Sequence, residues 1–182
     1  MNCKLSASRF GALVFCALVV LSRPATAQAP AAELGQGWLQ EFTLTARQVL
    51  QLAEATPPEK FGWRPGPGVR SVSEVYVHMA IGNLSLMNRA GVSAAFDMTT
   101  VPKDPEKTIT SKADVIQWLR KSFDTIKAEY AKADRQKKVQ LFQRDTTADN
   151  VFLRILLHAN EHMGQSIAYA RMNGIVPPWS GG

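Results

Sequence analysis

The stretch LLHANEHMGQS, residues 156–166, decides how this chain reads. Its two histidines, His158 and His162, are four positions apart, and the residues around them recur at helical rather than alternating intervals. On a helix this spacing puts two imidazoles on one face with Cβ atoms about 6 Å apart, right for gripping one ion. The same face continues to Gln165 and Tyr169, which either orient a ligand imidazole or a substrate, or line a bundle as an ordinary polar patch. His158 to His162 also spells H-x-x-E-H, the inverted zinc-peptidase motif in which the glutamate is a general base. Those enzymes take an acidic third ligand well downstream, whereas only twenty residues follow His162 and none is Asp or Glu. Glu161 therefore reads first as a solvated or ion-paired residue.

The helix that carries the pair begins near Thr147 and runs to Met172, where Asn173-Gly174 and then Pro177-Pro178 stop it. Three more segments show the same periodicity. The first spans Leu34 to Ala55 and ends at Thr56-Pro57-Pro58, since proline cannot continue a helix. A proline- and glycine-rich connection, Pro57 to Arg70, leads to the second, where Ser71 and Glu74 form a capping box. It carries Val72, Val75, Met79 and Leu86 and fades near Gly91. Val92 to Thr110 reads as a long crossover loop. Ser111 and Asp114 cap the third helix, with its stripe of Val115, Leu119, Phe123, Ile126 and Tyr130. A polar link from Lys132 to Thr146, with an apolar patch at Val139, Leu141 and Phe142, leads into the last helix. The expected fold is all-α, a four-helix bundle with long crossover connections.

The remaining histidine, His78, sits on the second helix in VYVHMAIGN. A bundle can bring it opposite the pair, because metal sites in bundles are built from inward side chains on facing helices. Gly82 and Ser85, one and two turns on, are expected to leave room for water or a ligand. Three neutral imidazoles with an open position make the pattern of a catalytic site rather than a closed structural one. Imidazole donors suit several divalent metals, so the ligand set alone does not select one. Glu161 and Tyr76 are the candidates for proton transfer. Trp63 and Arg64 either border the pocket or pin their loop.

The amino terminus reads as a secretory signal peptide. Lys4 and Arg9 precede the apolar run FGALVFCALVVL, and Ala25-Thr26-Ala27 supplies a cleavage site. Cleavage after Ala27 leaves one domain, residues 28–182, outside the cytoplasm in the periplasm or beyond the cell. The apolar run is shorter than the ~20 residues of a membrane-spanning helix. Both cysteines, Cys3 and Cys16, leave with the leader, which excludes a disulfide and thiol nucleophilic catalysis in the mature chain. Three of the 21 basic residues leave as well, so 18 face 15 acidic ones and the mature charge is +3 rather than +6. No basic block with interleaved aromatics remains, and nucleic acid is not an expected partner.

Taken together, EATPPEKFGWRPGPGVRSVSEVYVHMAIGN and LLHANEHMGQSIAYARMNGIVPP resemble the DinB/YfiT-like superfamily across essentially the whole mature chain. The resemblance rests on Trp63-Arg64-Pro65, Arg70-Ser71, the histidine of the second helix and the H-x-x-x-H-x-G-Q run. It implies a four-helix bundle, commonly dimeric, whose three histidines, here His78, His158 and His162, bind zinc, nickel or a similar ion. It also implies chemistry on small molecules, since relatives include metal-dependent transferases of small thiols and a maleylpyruvate isomerase. Three functions follow as expectations. One is an exported metalloenzyme that activates water or a thiol, a hydrolase or S-transferase. The second is a metal- or small-ligand-binding bundle without turnover. The third is a structural bundle whose histidines pack in the core.

Overall fold

The computed structural model describes residues 37–92 and 96–180. The expected leader and its cleavage site, and the predicted helix start at Leu34, lie outside the described residues. Four long helices dominate: α1 (Trp38–Ala55), α2 (Val72–Arg89), α4 (Lys112–Lys132) and α5 (Ala148–Met172). A 3₁₀ turn over Met98–Thr100 and a one-turn helix, α3 (Pro105–Thr108), lie between α2 and α4. No described helix is long and apolar enough to cross a membrane.

The helix ends form for the reasons the sequence gives. Ser71 Oγ accepts from the Glu74 amide while the Glu74 carboxylate accepts from the Ser71 amide at 2.8 Å, a closed capping box. The preceding connection satisfies two more free amides of α2, with Val72 donating to the Trp63 carbonyl and Ser73 to that of Phe61. Ser111 caps α4 by accepting from the Asp114 amide. Gly174, at φ 73°, closes α5 as Ile175 donates back to Ala170 and Gly174 to Arg171.

Each of α1 and α2 packs against both α4 and α5, so α1 and α2 lie diagonally across the bundle. Consecutive long helices are thus not always neighbours, and the connection over residues 56–71 crosses from α1 to the diagonal α2. The core joins the predicted stripes of the second and third long helices to apolar residues of the other two. Val75 and Met79, with Leu119, Phe123 and Ile126, cluster with Phe42 and Val49 of α1 and with Val151, Phe152 and Ile155 of α5. At one end Trp38 stacks on Phe42 and Tyr130, with centroids 4.7 and 4.2 Å apart, and its indole donates to the Phe152 carbonyl.

Two connections carry more structure than the sequence reading assigns. The link between α4 and α5 holds an antiparallel hairpin, β1 (Lys138–Leu141) and β2 (Arg144–Thr147), in register Leu141↔Arg144. Four-residue strands are too short for their alternation to stand out. Val139 turns inward while Phe142 is 65% exposed at the tip. Phe142 and Gln143, at φ 52° and 61°, form the two-residue turn in left-handed backbone, a geometry that favours Asn-Gly. In the loop after α2, α3 folds back and plants Glu106 beside His78.

Candidate metal centre

The neighbouring helices α2 and α5 bring His78, His158 and His162 together. One nitrogen from each lies within 4.8 Å of the others, and the Nε2 atoms of His78 and His158 are 3.4 Å apart. The rings meet edge to face, with centroids 4.7 to 5.3 Å apart. His158 is buried, and the other two are half-buried.

Each imidazole is held at its other nitrogen. His78 Nδ1 faces Glu106 Oε1 at 2.9 Å, His158 Nδ1 faces Asn83 Oδ1 at 2.6 Å, and His162 Nδ1 faces Gln165 Oε1 at 3.0 Å. Carboxylate and amide oxygens only accept, so each Nδ1 donates and each Nε2 is left with its lone pair. Glu106 is itself gripped by Arg70 Nε at 2.7 Å, and Gln165 donates to the Tyr169 hydroxyl at 2.9 Å. Asn83 is fully buried, and its Nδ2 has no hydrogen-bond partner among the described residues. An amide kept there with half its capacity unmet points to the work of its oxygen on His158.

This donor set fits a divalent cation. Two lone pairs 3.4 Å apart repel, and a cation between them converts that repulsion into bonding. The separation matches the edge of a tetrahedron with metal–nitrogen bonds of about 2.0–2.1 Å. Burial holds the His158 imidazole down to about 4, helped by repulsion from His162 and His78. Burial also lowers His78, against the pull of Glu106. Both rings are neutral at pH 7, the form that binds metal.

Gly82 does more than the sequence suggests. With Ser85 it lines an open groove, as expected, and it also receives the His158 ring, where an added Cβ would meet Cε1 at 2.7 Å. Only glycine lets the ring lie this close to α2. Trp63 sets its ring edge-on to Tyr169 at 5.4 Å, and Arg64 pairs with Glu74 at 3.2 Å and donates to the Val69 carbonyl, pinning the loop. The structure thus brings the histidines, Gln165 and Tyr169 into one network. Tyr76 instead turns into the core, its hydroxyl facing Ser166 and Thr56, and burial pushes its pKa up, making the phenol a weaker acid. Glu161 is exposed and pairs with Arg154 at 3.1 Å. Neither Tyr76 nor Glu161 bonds an imidazole.

Asn83 and Glu106 are imidazole partners that the sequence did not single out, and Arg70, noted there only as part of Arg70-Ser71, grips Glu106. An amide five positions after His78, on the apolar stretch of the same helix, is a usable signal for Asn83. Glu106, in a loop 28 residues from its histidine, offered none.

Comparison with known proteins agrees with this fold. A family model described as the DinB superfamily matches residues 41–166. A DinB-like protein from Bacillus cereus has a similar structure at 17% identity and a TM-score of 0.66, covering 78% of this chain and 93% of that one. A structure assigned to the DinB family from Exiguobacterium sibiricum matches at 23% identity and a TM-score of 0.52, covering 75% and 92%. No curated protein matches the sequence.

Proposed function

This chain belongs to the DinB superfamily, and from that membership we propose that it is an exported metal-dependent enzyme whose ion, zinc or nickel, is held by His78, His158 and His162. The observation that carries the reading is the convergence of three imidazoles while all three Nδ1 atoms face oxygen acceptors. When bound, the ion supplies Lewis acidity, which makes water or a thiol nucleophilic near neutral pH. The rest falls to the chain itself. Asn83, Glu106 and Gln165 fix the tautomer and tilt of the rings, and such outer partners govern metal affinity about ten- to a hundred-fold. Three neutral imidazoles bring no negative charge, so the centre favours an anionic or readily ionised ligand. The chemistry that suits this is hydrolysis or thiol S-transfer on a small molecule.

Elemental analysis of the purified protein tests the reading. One equivalent of divalent metal per chain is expected, with essentially none in folded His158→Ala protein. Equal metal in both proteins would overturn the site. Chelator-sensitive turnover of simple esters or thiol conjugates tests catalysis, and its absence across a broad panel, with metal bound, would leave a metal-holding bundle.

A further inference from the structure

A groove of about 710 Å³ opens between α2, the hairpin and α5, within the ~300–1,000 Å³ of small-molecule sites. Gly82 and His158, the buried histidine of the cluster, are among the residues that line it. Leu86, Leu141 and Phe142 give it an apolar wall, and Arg89 and Arg154 bring two guanidinium groups. Among the described residues that line it, none is acidic.

We propose that this groove is the substrate subsite of the centre and takes a small organic anion, an oxyanion such as a carboxylate carried on a flat apolar body. The proposal rests on the metal reading above, because His158 is what joins the groove to the cluster.

The anion preference follows from the two arginines. Glu161 holds Arg154 through Nη2 alone, at 3.1 Å, so the remaining donors of that planar fork stay outside the pair. Arg89 uses Nε on Ser85 Oγ at 3.1 Å, a bond that steadies the side chain along α2 without using either Nη. Guanidinium groups bind carboxylates in two-point fashion, which selects both charge and shape.

The apolar body is argued from Phe142. A phenylalanine at φ 52°, followed by Gln143 at φ 61°, occupies a turn that Asn-Gly would fill with less strain, and its ring is 65% exposed. A bulky residue in left-handed backbone persists where the site needs its side chain. Here the ring lines the groove, with Leu141 and Leu86 beside it, and supplies a face on which a flat apolar group stacks.

The test uses the full metal-loaded chain, calorimetric titration, and two probes, 2-naphthoate and its uncharged counterpart 2-naphthamide. Naphthoate is expected to bind about tenfold or more tightly than the amide. Arg89→Gln and Arg154→Gln should each erase most of that preference while metal content stays unchanged. Replacing Phe142-Gln143 by Asn-Gly should weaken both probes several-fold yet raise the melting temperature. Equal binding of the two probes, a preference that survives both arginine substitutions, or undiminished binding to the Asn-Gly variant would overturn the proposal. Metal is measured on the same samples. Protein without metal that still selects naphthoate through its arginines would uphold the groove and refute the metal centre.

Discussion

Helix α5 is shared by two regions built on opposite principles. Near its start, Val151, Phe152 and Ile155 enter a dry core, where Phe152 lies edge-on to Trp38 and Tyr130 with centroids 5.3 and 5.0 Å apart. From His158 onward, the face toward α2 is polar: both Nδ1 atoms face a named oxygen, and His158 Nε2 meets that of His78. The first region holds by area and shape, the second by direction. Removing a ring from the first should cost stability and spare the site. Shifting a ring in the second should cost the site and spare the fold.

The largest expected effect lies in the dry region. Phe152→Ala removes a fully buried ring and its aromatic contacts, and should destabilise by about 3–5 kcal/mol in urea unfolding. The protein that remains folded should still bind one equivalent of metal. Folded but metal-free protein would show the two regions to be one cooperative unit, and the contrast would fail.

Gly82 sharpens the contrast from the other side. Gly82→Ala drives a Cβ into the His158 ring, and metal affinity should fall about ten- to a hundred-fold in competition titrations with a chromophoric chelator. The same substitution made in His158→Ala protein meets no ring. There it should stabilise by about 0.5–1 kcal/mol, the usual gain for glycine to alanine within a helix. This change of sign is the signature of a close approach. If Gly82→Ala lowers stability equally in both backgrounds, the glycine serves helix packing and not the imidazole.

How much of this was legible in the sequence follows the same division. The dry region could be read directly, since burial writes itself as periodicity, and Val115, Leu119, Phe123 and Ile126 are all buried as their spacing implies. The three histidines could also be read, because two share a helical face and the third had to lie on a facing helix. Their orienting partners are a different matter. Gln165 is legible at i+3 from His162, but Glu106 reaches His78 only because α3 folds back across α2, a tertiary event with no local period. The hairpin escaped for a related reason. Its strands are four residues long, and its turn breaks the Asn-Gly preference that would have announced it.

The smallest effect tests the boundary between the two regions, where Glu74 closes the capping box of the helix that carries His78. Burial alone would raise the Glu74 carboxyl, but Lys107, the Ser71 amide and Arg64 outweigh it and bring it down to about 2. A carboxyl lower in the folded than in the unfolded chain stabilises above the unfolded value, and that contribution drains away as pH falls toward the folded one. The window here runs from about 4.5 down to about 2. Glu74→Gln keeps an acceptor for the Ser71 amide but loses both ion pairs. The variant should be about 1 kcal/mol less stable at pH 7, and the two stability curves should converge through that acid window. Metal content at pH 7 should not change, because Glu74 bonds the loop, α3 and the helix cap but none of the imidazoles. Curves that stay parallel down to pH 2 would show that the carboxylate contributes by shape and not by charge.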